Sequence, residues 1–156
     1  MSYEQKAKEI LGFEIPTATQ AEGKPMKAVR TGNLIYTSGQ LSIKNGEDIK
    51  GQVGHDITME DGYEAAKWAC INCLSAIKTQ VSSLDEITKV VKVLGMVNVK
   101  DDFNTNPENN TSAVINGCSH LIFEIFGDAG KHARSAVGMT LPRNYAVEIE
   151  MIVEVK

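Results

Sequence analysis

Residues 145–155 read Tyr-Ala-Val-Glu-Ile-Glu-Met-Ile-Val-Glu-Val, and this stretch decides the fold. From Val147 onward, apolar side chains stand at every second position, and Glu148 and Glu150 lie between them. Successive side chains of a β-strand point to opposite faces, so the apolar row predicts a strand that lies against a core. The other face mixes acids with Ile152, a composition typical of a subunit interface or a lined cleft.

The segment before this strand supplies a cation. Residues 134–140 predict a neighbouring strand, joined to the last one through residues 141–144, where Pro142 fixes a turn. This predicted hairpin brings Arg134 into the same sheet as Glu148. The planar donors of arginine bind both oxygens of a carboxylate, so a carboxylate ligand is the simplest hypothesis. A structural ion pair with Glu148 or Glu150 at a subunit contact is the alternative.

Periodicity and turn residues divide the rest of the chain into elements. The predicted helices are 1–13, 58–81 and 112–126, and the predicted strands are 27–30, 34–38, a weaker one at 48–52, and 87–99. Gly32-Asn33 and Asn45-Gly46 supply the positive φ of hairpin turns, and Thr58 with Asp61 forms a capping box. The order predicts an α+β fold, with two helices packed on one face of a single mixed sheet.

Length and charge restrict the classes of function. A chain of 156 residues predicts a single domain, 1–156, in which residues 1–26 form an N-terminal helix and loop extension. The formal net charge of −4 disfavours nucleic acid as a partner, and no segment reaches membrane-spanning length. A polar start and three cysteines that cannot all pair predict a cytoplasmic protein with reduced thiols.

Two other groups of residues resemble chemical motifs. Cys70-x-x-Cys73 lies within an apolar helical stripe without a second Cys or His pair, so buried packing is favoured over redox or metal chemistry. The three histidines show no metal-ligand spacing, and only His132 lies near Arg134, as a candidate for the rim of the site. The sequence predicts no metal and no organic cofactor.

Three ordered segments resemble the Rid family, also called YjgF or the L-PSP endoribonuclease family. Residues 32–40 are similar to its N-terminal signature and residues 97–103 to its middle one. His132-Ala133-Arg134-Ser135-Ala136-Val137, Leu141-Pro142 and Val147-Glu148-Ile149-Glu150 resemble its C-terminal signature. The strings at 116–119, 126–127 and 132–138 are similar to a longer, less characterised subgroup.

The resemblance implies a chorismate-mutase-like fold and a homotrimer with its sites in the clefts between subunits. It also implies hydrolysis of reactive enamines or imines to 2-keto acids and ammonia. Arg134 matches the arginine that binds the substrate carboxylate, and Glu148 matches the acid that positions the attacking water. An imine carbon is already electrophilic, so these groups would suffice without a cofactor.

Five further residues are candidates for the substrate-binding part of the site: Ser38, Gly39, Asn116, Ser119 and Ala136. Ser38 and Gly39 could border the cleft, although a serine before glycine is equally typical of a turn. Either Ser119 or Asn116 stands where the family often has an asparagine. The stretch at 24–27 lacks the family's tyrosine, and Ala136 replaces the cysteine that commonly follows the arginine.

Three functions follow from these residues. The first is a cofactor-free deaminase of small 2-imino or enamine acids. The second is a non-catalytic protein that binds or senses small carboxylates with the same pocket. The third, ribonuclease activity, is disfavoured by the acidic pI of 5.4 and by the lack of a basic stripe or stacking aromatics.

Overall fold

The computed structural model describes residues Met1–Lys156 as three helices, eight strands and short 3-10 turns. The helices are α1 (Tyr3–Leu11), α2 (Met59–Ile77) and α3 (Thr111–Phe126). The strands are β1 (Ala28–Thr31), β2 (Leu34–Thr37), β3 (Gln40–Leu41), β4 (Ile43–Lys44), β5 (Glu47–Asp48), β6 (Ile87–Asn98), β7 (Ala133–Met139) and β8 (Val147–Val155). The predicted helices and main strands are confirmed, with shifts of a few residues at their ends.

The main sheet has the order β1-β2-β8-β6-β7, and β3 also pairs with β8. Only β6 and β7 are parallel, because α3 carries the chain back between them as a crossover. The predicted hairpin between the last two strands is therefore wrong, since β6 lies between β7 and β8. Alternating side chains identify which face of a strand is buried, but they do not specify its neighbours.

Local signals explain where the elements begin and turn. The Thr58 side chain accepts a hydrogen bond from the Asp61 N–H and Asp61 accepts one in return, so the predicted capping box is confirmed. Asn45 and Gly46 both have positive φ, whereas in the first hairpin turn Gly32 has positive φ and Asn33 does not. The weak strand predicted at 48–52 is instead β5, which pairs with β4 in a separate two-stranded sheet.

The helices cover one face of the main sheet, and we call it the helix face. Val147, Ile149 and Met151 of β8 lie on it and are buried, as their alternation predicts. Helices α2 and α3 pack closely together because Gly117 of α3 sits against the Tyr63 carbonyl of α2, where a Cβ would clash. Cysteines 70, 73 and 118 are buried and unpaired, so the packing interpretation of the CxxC motif is confirmed.

The opposite face of the sheet carries Glu148, Glu150 and Ile152, and we call it the outer face. No helix of the chain covers it. Tyr36 lies opposite Ile152 on this face and is 43% exposed, and its β1 neighbour Val29 is 53% exposed. A cavity of about 400 Å³ opens on the outer face, lined by Tyr36, Thr37, Lys92, Leu94, Ser135, Glu150, Met151 and Ile152.

Candidate functional site

Arg134 projects from the edge strand β7 toward α3. Its Nη1 donates hydrogen bonds to Asn116 Oδ1 at 2.8 Å and to Ser119 Oγ at 3.2 Å. Asn116 and Ser119 are three residues apart on α3 and so lie on the same side of the helix. The two residues that the sequence offered as alternatives therefore contact the same nitrogen of Arg134.

The guanidinium of Arg134 has no acidic partner within the chain. All six ion pairs of the chain involve other residues, so Arg134 forms no ion pair with Glu148 or Glu150 of its own chain. Its Nε and Nη2 groups donate no hydrogen bond to the protein. A cation held by neutral side chains, with one edge unused, is suited to receive an anion from outside the chain.

His132 extends this cluster beyond what the sequence predicts. Ser119 Oγ lies 2.9 Å from His132 Nε2, and His132 Nδ1 lies 2.6 Å from the Gly130 carbonyl oxygen. Because a carbonyl only accepts, Nδ1 carries the proton in the neutral ring and Nε2 accepts from the Ser119 hydroxyl. The sequence predicted His132 near Arg134, and its half-buried ring joins the arginine cluster through Ser119.

The environment of His132 favours its neutral form. Burial lowers the pKa of the imidazole below its usual value and the Arg134 charge lowers it further, although the Gly130 hydrogen bond acts in the opposite direction. The ring also stacks against Phe123, with centroids 5.3 Å apart. The sequence carried a signal for this proximity, because His132 directly precedes β7 and stands two residues before Arg134, but the contact with α3 required the fold.

Glu148 lies half-buried on the outer face, with no cation within ion-pair distance. Burial raises the pKa of its carboxyl group, and the nearby Glu150 charge raises it further. Gly39 packs against this carboxyl: a Cβ at position 39 would lie 2.8 Å from Glu148 Cδ. The Gly39 N–H donates no hydrogen bond within the chain, so it is free to meet a ligand.

Arg134 and Glu148 lie on opposite faces of the same sheet. Arg134 is opposite Val93, which is opposite the buried Met151, so all three share the helix face. Glu148 is opposite Met96, and both project to the outer face. One copy of the chain therefore does not bring the two predicted catalytic residues together.

Ser38 and Ala136 each take part in a hydrogen bond outside the arginine cluster. The exposed Ser38 donates its hydroxyl to the Met26 carbonyl at 2.6 Å, which joins the end of β2 to the loop before β1 rather than closing a local turn. Ala136 is half-buried two residues beyond Arg134 on the helix face, and its carbonyl accepts a hydrogen bond from Thr111 Oγ1 at 3.1 Å. Neither residue contributes a reactive group to the cluster.

A second cationic region lies beside Gly39. A cavity of about 310 Å³ has Lys27, Gly39 and Arg143 among its lining residues, and neither cation forms an ion pair. Arg143 has φ of 51°, an unusual value for a residue other than glycine, and its guanidinium carbon is 5.2 Å from the Tyr145 ring. Sequence reasoning did not anticipate this region.

No group of three or more His, Cys, Asp or Glu side chains is arranged to hold a metal ion. None of the helices combines the length and the apolar composition that crossing a bilayer requires.

The mixed sheet with helices on one face defines an α+β protein of the chorismate-mutase-like type. A family model described as "YjgF/chorismate_mutase-like, putative endoribonuclease" matches residues 7–154. The chain belongs to this family, as its three signature segments suggested.

Individual relatives are similar over nearly the whole chain. Protein TCP17 of Trypanosoma cruzi is 34% identical over 147 residues, which cover 92% of this chain and 89% of that protein. The 2-iminobutanoate/2-iminopropanoate deaminase of Dermatophagoides farinae is 26% identical over 144 residues, covering 90% and 93%. The crystal structure of Atu1372 from Agrobacterium tumefaciens, described as of unknown function, has a TM-score of 0.84 with 37% identity, covering 99% of this chain and 93% of that one.

Proposed function

We propose that this protein is a cofactor-free hydrolase of small 2-imino or enamine acids, acting in clefts between the subunits of a homotrimer in the cytoplasm. Arg134 binds the substrate carboxylate, and Glu148 of another copy positions the attacking water. The single observation that carries the proposal is the unused donor edge of Arg134, which has no acidic partner in its own chain.

The reaction needs few groups from the protein. The imine tautomer carries an electrophilic carbon, water adds to it, and the resulting carbinolamine releases ammonia and leaves a 2-keto acid. A carboxylate beside the water can accept its proton and return it to the leaving nitrogen. The raised pKa of Glu148 suits this exchange, because it brings the proton affinity of the carboxyl closer to neutral pH.

A second copy of the chain is needed because Arg134 and Glu148 lie on opposite faces. The exposed apolar residues of the outer face, among them Val29 and Tyr36, are typical of a surface that another subunit covers. In a closed ring each subunit can present Arg134 to one neighbour and Glu148 to the other. The deaminase of Dermatophagoides farinae supports the same reaction class for this chain.

The two cations beside Gly39 also favour an anionic ligand. Lys27 is half-buried and Arg143 exposed, and both line a cavity that includes Gly39, which packs against Glu148. The free Gly39 N–H adds a neutral donor to this side of the cleft. We assign Ser38 and Ala136 to the border of the site, where they shape it without taking part in proton transfer.

The test is to generate 2-aminoacrylate in situ with a pyridoxal phosphate enzyme and to follow the release of ammonia and pyruvate. Wild-type protein is expected to shorten the lag before free ammonia appears. Arg134→Ala and Glu148→Gln should each lose at least about 100-fold of the activity, a loss typical of removing a transition-state contact or a general base. Lys6→Ala, which removes a cation from α1, serves as the matched control and should retain wild-type activity.

A binding or sensing protein is the second candidate, and the missing tyrosine at 24–27 and the missing thiol at Ala136 favour it. It predicts that pyruvate binds to wild-type protein and not to Arg134→Ala, while neither protein changes the rate of imine hydrolysis.

Ribonuclease activity is tested with the same variant. RNA cleavage that persists in Arg134→Ala after repurification would point to a contaminant rather than to this site.

A further inference from the structure

We propose that His132 is a positioning residue for the carboxylate-binding arginine, acting through the Ser119 hydroxyl and directing the Nε and Nη2 edge of Arg134 toward the ligand. This inference rests on the proposed function. It concerns how the arginine is held, and nothing in the family resemblance assigns a role to His132.

The hydrogen bonds that link His132, Ser119 and Arg134 have a fixed order of donors and acceptors. The Gly130 carbonyl fixes the proton on His132 Nδ1, so Nε2 must accept from the Ser119 hydroxyl. With its hydrogen directed at His132, the Ser119 oxygen presents a lone pair to Arg134 Nη1. His132 Nδ1 and the Ser119 hydroxyl each donate to one partner, and this order would change only if the imidazole lost its Nδ1 proton or gained a second one.

These hydrogen bonds determine which nitrogens of the Arg134 guanidinium remain available to a ligand. Nη1 has two hydrogens, and Asn116 and Ser119 accept one each. Nη1 is therefore fully occupied, and the donors left for a ligand are Nε–H and Nη2–H. These two groups point the same way and can bind both oxygens of a carboxylate side-on.

The surroundings of His132 fit a fixed ring. Phe123 of α3 stacks on it, and Arg134 is the charged group that acts on it. The preceding Lys131 is paired with Asp128 at 2.7 Å, outside the cluster. On α3 the next residue after Ser119, His120, is bonded to Tyr63 at 2.9 Å.

A competing interpretation makes Ser119 a nucleophile and His132 its base, since they have the spacing of such a pair. Two observations oppose it. Ser119 is only 4% exposed, and its oxygen accepts a hydrogen bond from a cation, which makes the oxygen a poorer nucleophile. Stoichiometric labelling of Ser119 by a fluorophosphonate probe would overturn our assignment in favour of this one.

Three substitutions at position 132 separate the contacts. His132→Phe keeps a ring against Phe123 and removes the acceptor, whereas His132→Asn keeps a donor near the Gly130 carbonyl and also lacks the acceptor for Ser119. His132→Gln places an amide oxygen where Nε2 stands. We expect Phe and Asn to weaken pyruvate binding by about 3- to 10-fold, the effect of one lost neutral hydrogen bond, and Gln to bind within about 2-fold of wild type.

The role of Ser119 is tested by a double-mutant cycle. If His132 acts through Ser119, Ser119→Ala/His132→Phe should bind pyruvate no more weakly than Ser119→Ala alone. Additive losses, or a His132→Gln variant as weak as His132→Phe, would overturn the proposal. Thermal unfolding of each variant shows whether it is folded.

A readout without ligand keeps this test independent of the proposed function. In the free protein, nitrogen NMR should show His132 as the Nδ1–H tautomer. The Arg134 Nη1 hydrogens, which Asn116 and Ser119 accept, should be more protected from exchange in wild type and His132→Gln than in His132→Phe at the same pH. If the tautomer and the exchange protection are as expected but pyruvate does not bind, the proposed function fails and the positioning role stands. If His132 is instead the Nε2–H tautomer, the positioning role alone is overturned.

Discussion

At the scale of single residues, the cluster around Arg134 depends on which groups carry protons. The guanidinium is always charged, so the cluster stays ordered only while its acceptors remain acceptors. Ser119 and Asn116 cannot change charge near neutral pH, whereas His132 can. The imidazole is therefore the member of the cluster that responds to acid.

This gives a prediction for stability. The folded-state pKa of His132 lies below its unfolded value near 6.5, so its contribution to stability is present above that value and is lost as pH falls through the folded pKa. We expect the Tm of wild type to fall more than that of His132→Gln between pH 7 and pH 5, as measured by calorimetry. The exposed His55, replaced by Gln, is the control and should follow wild type.

A wild-type curve that runs parallel to that of His132→Gln across this range would show that the imidazole keeps its usual proton affinity in the fold.

At the scale of elements, the contact between α2 and α3 sets where Asn116 and Ser119 stand. Gly117 lies between these two residues and touches the Tyr63 carbonyl of α2, leaving no space for a methyl group. Gly95 of β6 plays a similar part below α3, because a Cβ there would lie 2.5 Å from the Ile115 side chain. Glycines thus bring α3 close enough to the sheet for its side chains to reach β7.

We predict that Gly117→Ala lowers the Tm by on the order of 10 °C, because the added methyl meets backbone rather than a movable side chain. The same displacement of α3 should weaken pyruvate binding. Ser112→Ala, on the exposed first turn of α3, is the matched control and should change the Tm by less than about 2 °C. A Tm for Gly117→Ala close to that of the control would mean that the helices can separate at little cost.

The sequence predicts individual elements better than it predicts their neighbours. The alternation in β8 and the capping box at Thr58 are local patterns, and both occur in the structure as expected. The position of β6 between β7 and β8 depends on how α3 crosses over, which no short pattern records. The predicted hairpin was wrong for this reason.

The same distinction between local patterns and the arrangement of elements holds for the candidate site. Arg134 could be proposed from its residue type, and Asn116 and Ser119 were candidates through the family resemblance. The bond from Ser119 to His132 joins different elements and depends on a helix rotation and a tautomer. That Arg134 and Glu148 lie on opposite faces follows from the alternation of side chains along each strand, but only once the order and pairing of the strands are known.

At the scale of the whole molecule, the proposed site belongs to an assembly, because one chain carries its two halves on opposite faces of the sheet. Arg134 and its neutral partners stand at one edge of the sheet, and Glu148 with Gly39 stands on the outer face. This arrangement can be tested without a structure of the assembly, because subunits with different defects can share a site.

We predict that Arg134→Ala and Glu148→Gln, each inactive alone, recover activity when refolded together. With random mixing in a closed ring, about a quarter of the clefts would receive an intact arginine from one subunit and an intact glutamate from another. The measurement is the rate of imine hydrolysis after mixing in equal amounts. Arg134→Ala mixed with the double variant is the control and should stay inactive, and no recovery in the first mixture would place both residues in sites within one chain.

The opposite orientation of Arg134 and Glu148 also makes protein concentration a control on the proposed activity. Diluting such an assembly until it dissociates would abolish every site while leaving each chain folded, since the core beneath α2 and α3 is complete within one copy. The specific activity should then fall steeply at low protein concentration, whereas the circular dichroism of the chain stays constant. Catalysis would thus require a minimum protein concentration that folding does not require, and a cell with little of this protein could lose the activity while each chain stays folded.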